Sequence, residues 1–318
     1  MNFLGKGLRA SALLVVFAIV ASVVTAGPSL EEMFANPPDS ARPWVYWYFM
    51  DGNTTREGMK ADLDAMKEAG IGGVLILEIG AGRPRRGPVE FLSPKWLELF
   101  GYAIAEADRL GIEVAVGTGP GWCGAGGKSV KPDDAMQHTV ASETTVTGPS
   151  EFSSILPIPA PRAPFFGMGT LTSELRKDWE SYYRDVAVLA FPEPEGAERL
   201  PDADEKAIYQ RAPFSSRRGV KPYLTPSHKA VPPEKCVDPA KVVDLTAKMD
   251  ASGRLTWRVP EGRWTIMRVG RRLTGQTTRP APKPGLGFET SKFDRGAIER
   301  HLHDYADKIL AAAGPRRP

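Results

Sequence analysis

Asp51, Asn53, Glu78, Trp122 and Glu289 each sit where a run of apolar residues gives way to glycine-rich or polar sequence. Carboxylates accept hydrogen bonds from hydroxyl groups, an amide can both donate and accept, and a flat indole covers the apolar face of a ring. Trp47, inside the first apolar run, is a further aromatic candidate. Together these residue types suit a carbohydrate ligand. Each also has a plainer reading. Asp51-Gly52-Asn53 is good turn chemistry, Glu78 can be a surface loop acid, and Trp47 can be core. His138, His228, His301 and His303 have no metal-ligand spacing, and His301 and His303, two apart on a helix, do not face each other. Asn53-Thr54-Thr55 matches a glycosylation sequon, a weak signal. Gly126-Gly127-Lys128-Ser129 superficially matches a phosphate-binding loop. That motif, however, needs glycine where Trp122 stands, and Pro132 interrupts the helix that should follow. No nucleotide is therefore expected as a partner.

The elements that must position these residues follow from periodicity. Residues 44–49 are an aromatic and β-branched run without polar alternation, which predicts a strand buried on both faces. Thr54 and Glu57 form a capping-box pattern, and Met59, Leu63 and Met66 share one face of the helix that follows, with Gly70 placed to end it. Gly73 to Ile79 is a second apolar strand. Ser93 and Pro94 suit the N-cap and first position of a second helix, whose inner face is Trp96, Leu97, Phe100, Ile104 and Leu110 and which Gly111 ends. Ile112 to Val116 is a third strand. Strand, helix, strand, helix, strand with continuous apolar strands predicts consecutive parallel βαβ units. In a barrel of such units, ligands sit at the C-terminal strand ends, where Asp51, Asn53, Glu78 and Trp122 fall.

Beyond residue 120 the pattern changes. Thr139 to Val146, Tyr183 to Phe191, Val242 to Leu245, Leu255 to Val259 and Trp264 to Val269 are strand-like without intervening helices, while 150–180 and 192–235 are rich in proline and irregular. Asp294 can cap a last helix with Ile298, Leu302, Tyr305 and Ile309 inside and Gly314-Pro315 after it. The expected fold class is therefore α/β, a partial (β/α)8 (TIM-like) barrel with a β-rich insertion. The first three βα units occupy 27–135, the insertion 136–280, and a return to the barrel with its terminal helix 281–318. Three clear βα units and a fourth ending in that helix fall well short of the eight a closed barrel needs.

The N-terminus reads as an address. Lys6 and Arg9 precede an apolar stretch from Ala12 to Val24, and Val24-Thr25-Ala26 resembles a cleavage site, so 1–26 is expected to be a signal peptide. The stretch is too short to predict a stable membrane span, and the mature chain is expected to be exported, periplasmic or extracellular. Removing Lys6 and Arg9 takes the net charge from +3 to +1, which gives no support for a nucleic-acid partner. Cys123 and Cys236 could pair or remain free thiols. Charged residues at 25%, apolar residues at 42%, 32 glycines and 29 prolines describe a loop-rich globular chain and exclude a disordered chain, a coiled coil or a multi-span membrane protein.

Eight stretches occur in an order that resembles glycoside hydrolase family 106, the α-L-rhamnosidases: Pro43 to Ile76, "GPVEFLSPKW" (87–96), "ADRLGIEV" (107–114), "GWCGAGG" (121–127), "YYRDVAVLAFP" (182–192), "VVDLT" (242–246), "LTWRVPEGRWTIMRVGRRLTG" (255–275) and "GLGFETSKFD" (285–294). The resemblance covers roughly residues 34–312. Lys128-Ser129 stand where the family usually has an aromatic residue, and Ser291 where it usually has aspartate. The resemblance implies a catalytic (β/α)8 barrel with β-rich additions, and a partner that is a rhamnose-containing oligo- or polysaccharide. It also implies calcium as cofactor and inverting hydrolysis by a carboxylic acid and a carboxylate. Family enzymes are considerably longer, and their acid and base are expected on later strands, so no catalytic residue is assigned here. Trp47, Asp51, Asn53, Glu78, Trp122 and Glu289 remain substrate-contact candidates, Glu78 and Glu289 for calcium as well. The expectation is an exported N-terminal fragment of a glycosidase, inactive alone. The alternatives are a non-catalytic carbohydrate-binding protein or a truncated gene product.

Overall fold

The computed structural model describes residues 29–82, 85–122, 124–164, 167–196 and 231–315. The signal-peptide segment, Cys123 and His228 lie outside them. The chain divides into two units, Met1–Arg42 and Pro43–Pro318. In the first, α1 (Leu30–Ala35) opens on a capping box: Ser29 Oγ accepts from the Glu32 amide, and the Glu32 carboxylate accepts from the Ser29 amide.

The second unit begins with three parallel strands, β1 (Trp44–Met50), β2 (Gly73–Ile79) and β3 (Glu113–Val116), in that spatial order. They are joined by α2 (Arg56–Glu68) and α3 (Pro94–Leu110). The α3 boundaries follow from local chemistry. Ser93 Oγ accepts from the Trp96 amide, and Gly111 takes a left-handed φ of +67° at the C-cap. The α2 cap differs from the Thr54–Glu57 expectation. Thr55 is the N-cap and accepts from the Gly58 amide, because the turn from Asp51 to Asn53 uses the chain up to Thr54.

One face of this sheet is covered. Trp47 and Phe49 of β1, Val74 and Ile76 of β2, Met59 and Leu63 of α2, and Trp96, Leu99 and Phe100 of α3 form a single core. Tyr46 and Tyr48, alternating with Trp47 and Phe49, lie on the other face, 61% and 44% exposed and stacked 5.8 Å apart. The expectation that β1 is buried on both faces is thus corrected. Its continuous apolar sequence hides a period of two in which only every second ring is covered.

The β-rich part is a four-stranded antiparallel sheet in the order β5-β8-β6-β7, formed by β5 (Gln137–Ile155), β6 (Arg184–Pro192), β7 (Val243–Asp244) and β8 (Arg254–Leu273). The two strands expected at 255–259 and 264–269 are one strand, bent where the register with β5 shifts between Gly148 and Ser150. Its core is Val188, Leu245, Leu255, Trp257, Trp264 and Ile266. Arg268 is buried on the sheet and held on both sides: Nε and Nη2 each donate to Asp185 at 2.8 Å, and Nη1 donates to the Leu156 carbonyl at 2.7 Å. The stretch 150–180 is less irregular than expected, since β5 runs to Ile155 and Thr172 caps α4 (Ser173–Ser181).

A short antiparallel pair, β4 (Gly126–Gly127) with β9 (Phe288–Glu289), brings the chain back to the parallel sheet. Asp294 then caps α5 (Arg295–Ala313) by accepting from the Ala297 amide. Its buried stripe is Ala297, His301, Tyr305 and Ile309, and Leu302 is exposed. Tyr305 and Ile309 are buried as expected, while Ala297 and His301 take the inner positions expected for Ile298 and Leu302.

Candidate functional site

The β1–α2 turn folds around Asp51, which takes a left-handed φ of +48°. Its Oδ2 accepts from the Gly82 amide at 2.8 Å, and its carbonyl accepts from the Gly87 amide at 2.9 Å. Gly52 follows at φ +73°, where a Cβ would stand 2.0 Å from the Val89 carbonyl oxygen. Asn53 spends its amide on the Met50 and Arg85 carbonyls. Asp51 and Asn53 therefore shape the loop at the strand end through Asp51 Oδ2 and Asn53 Nδ2.

Glu78, beside Phe49 across the β1–β2 register, points to the helix side of the sheet. It is 4% exposed. Oε2 accepts from Trp96 Nε1 at 2.9 Å, while Oε1 has no partner among the described residues. Burial raises its pKa from 4.5 to about 8 against the pull of the Trp96 hydrogen bond, and the nearby Asp51 charge adds to the rise. A carboxyl held neutral near pH 7 can act as an acid, yet Glu78 lines neither cavity described below. Trp47 is likewise withdrawn as a ligand contact. It is 5% exposed in the core and donates from Nε1 to Asp62 at 2.9 Å. Glu289 is separate from Glu78. It forms an ion pair with Lys292, and its backbone belongs to β9.

Trp122 is 65% exposed and hangs from the loop after β3, its amide donating to the Arg279 carbonyl at 3.0 Å. With Tyr46, Tyr48, Leu75 and Leu77 it bounds a cavity of about 340 Å³ on the uncovered face of the sheet. The register pairs Tyr46 with Leu75 and Tyr48 with Leu77. Both pairs thus present their side chains to the same face, with Tyr48 and Leu77 nearer the strand ends. The preceding loop has the spacing Gly119-x-Gly121-x-x-Gly124 after a strand, as dinucleotide sites do. It leads into turns and β4 rather than into a helix, so the helix N-terminus that would bind a pyrophosphate is missing there.

The profile of the alpha-L-rhamnosidase family, glycoside hydrolase family 106, matches residues 35–317. The chain belongs to this family. A structurally characterised rhamnosidase from Novosphingobium sp. PP1Y is similar over 91% of this chain and 38% of its own, with 28% sequence identity and a TM-score of 0.66. A protein of Formosa agariphila provisionally named a beta-glucuronidase is 33% identical over 285 residues, which are 90% of this chain and 22% of that protein. The chain thus spans about a fifth of the length of one relative and under two fifths of the other. No helix among the described residues is long and apolar enough to cross a membrane. No group of three or more His, Cys, Asp or Glu among them is placed to hold a metal ion.

Sequence reasoning passed over His301. It is 4% exposed, stacked on Tyr305 at 5.9 Å, with Nε2 2.6 Å from the Thr118 carbonyl. Its four-residue spacing from Ala297 and Tyr305 was the available signal. His301 and Tyr305 line a second cavity, of about 280 Å³.

Proposed function

We propose that this chain is the front part of a secreted, inverting α-L-rhamnosidase, and that Trp122 contacts the sugar. The observation that carries the reading is the parallel sheet of a family 106 chain with its aromatic face uncovered beneath Trp122. Parallel sheets are normally covered on both faces. The reading assigns the lower layer, Tyr46 and Leu75, to contact with further barrel strands in the full-length protein. The upper layer, Tyr48 and Leu77, then borders the mouth with Trp122. Inversion would need a carboxylic acid at the leaving oxygen and a carboxylate to activate water on the opposite face. Glu78 lies in the core and lines neither cavity, and Glu289 is paired with Lys292, so this chain alone is assigned binding and not turnover. Calcium, which the family resemblance implies, would assist the reaction when bound.

The test is a tryptophan-fluorescence titration with L-rhamnose. A saturable change, lost in Trp122→Ala with stability altered by less than about 0.5 kcal/mol, is expected because Trp122 is exposed and packs on little. An unchanged titration in that variant contradicts the assignment.

A further inference from the structure

The loop that carries Trp122 is pinned from the helix side. Gly119 and Gly124 approach so closely that a Cβ on Gly119 would collide with the Gly124 carbonyl oxygen. The stems at Thr118 and Gly126 therefore come together, and a single ring can reach both. That ring is His301 of α5. Its Nε2 lies 2.6 Å from the Thr118 carbonyl oxygen and 3.3 Å from the Gly126 amide nitrogen. Either tautomer ties a stem. With a proton on Nε2 the ring donates to Thr118, and without one it accepts from Gly126. The ring is itself fixed. It is buried, lies nearly parallel to the Tyr305 ring at an interplanar angle of 9°, and stands in the buried row of α5 with Ala297, Tyr305 and Ile309. Tyr305 and Ile309 belong to the core that contains Trp47, Phe49 and Trp96. The middle of the loop is held by backbone bonds: the Gly121 amide donates to the Glu78 carbonyl at 2.8 Å and the Trp122 amide to the Arg279 carbonyl at 3.0 Å. His301 holds the ends, and ties them to the core through α5.

Resting on the reading that Trp122 contacts the sugar, we infer that His301 is a positioning residue: it clamps the loop stems and so fixes the indole beside Tyr48 and Leu77. His301 does not line the groove itself, so its effect on sugar binding runs through Trp122. An indole released to sample other positions binds sugar only in the molecules that hold it in place, and affinity falls with that fraction.

The test follows the indole N–H resonances of the seven tryptophans in the whole chain, the Trp122 peak being the one absent from Trp122→Phe, together with the rhamnose Kd. Three variants separate reach from bulk. His301→Gln puts an amide nitrogen near the place of Nε2, His301→Asn carries the same amide a methylene short of the stems, and His301→Phe keeps a ring for Tyr305 without a nitrogen. In His301→Asn and His301→Phe the Trp122 peak is expected to shift and broaden and the Kd to rise about tenfold, as when about a tenth of the molecules hold the indole in place. His301→Gln should rescue both, with a Kd within about twofold of the parent's. The Trp257 and Trp264 peaks, from the core of the antiparallel sheet, should stay where they are in all three. The inference is overturned if the Trp122 peak in His301→Asn and His301→Phe matches the parent's, or if His301→Gln does no better than His301→Asn. It is equally overturned if the Trp257 and Trp264 peaks move with that of Trp122, because His301 then supports the whole fold. A parent chain that does not bind rhamnose refutes the proposed function, and the indole spectra alone then decide whether His301 clamps the loop.

Discussion

Replacing Glu78 by glutamine should make the protein more stable in alkali and remove most of one pH dependence. The folded-state pKa is raised from 4.5 to about 8, so the folded chain holds this proton after the unfolded chain has released it. Stability from this group is therefore complete below about pH 4.5, declines as pH rises towards 8, and is flat beyond. At about 1.4 kcal/mol per pH unit, the stability this group contributes falls by about 3 kcal/mol between pH 4.5 and pH 7, while it is still protonated in the fold, and by about 5 kcal/mol by pH 9, where it is ionised in place. That is a large part of the 5–15 kcal/mol typical of a domain. Glutamine keeps an acceptor for Trp96 Nε1 and never ionises. Its amide leaves a donor where Oε1 already lacked a partner, so Glu78→Gln should be no more stable than the parent at pH 5, by up to about 2 kcal/mol. Urea denaturation of both proteins at each pH from 5 to 9 reads the difference directly. The two stability curves should cross and then separate by several kcal/mol. Curves that stay parallel would mean that Glu78 ionises freely and that the buried-acid argument is wrong.

Two further substitutions probe the scaffold. Gly52→Ala puts a Cβ against the Val89 carbonyl at a left-handed φ, and should cost about 2 kcal/mol or more and lower Tm by about 4 °C or more in a thermal melt. A melt within a degree of the parent's would show that the turn can relax. Arg268→Met removes both bonds to Asp185 and the one to Leu156, with a cost of about 2–3 kcal/mol after allowing for the part-exposed carboxylate. Because the arginine holds the Asp185 pKa below its usual range, that variant should also lose less stability than the parent as the solution is acidified. Equal acid sensitivity would argue against the pairing.

The elements that were legible in the sequence had strong local chemistry. Ser93-Pro94, Gly111 and Asp294 mark helix ends by side-chain caps and a left-handed glycine, and these occur where the residues predict. What was not legible depended on partners far along the chain. β1 reads as fully apolar, and only its packing shows that Trp47 and Phe49 are core while Tyr46 and Tyr48 are uncovered. Asp51 and Asn53 look like ligand contacts until their partners, Gly82, Gly87 and Arg85, are seen across the turn. Glu78 was singled out from its place on a strand end, but its direction, into the helix side, follows from the pleat and from Trp96. The cavity at His301 needs α5 beside the loop from Pro120 to Ser129, a juxtaposition across more than 170 residues that no local pattern encodes.

On the proposed function, this chain carries part of a rhamnosidase's sugar site without its acid and base. Incubating the purified chain with p-nitrophenyl α-L-rhamnoside, once with calcium and once with a chelator, decides whether that holds. The account predicts no p-nitrophenol release above the protein-free rate in either case. Sustained release that calcium supports and the chelator abolishes would contradict it, and would place the catalytic pair within these 318 residues.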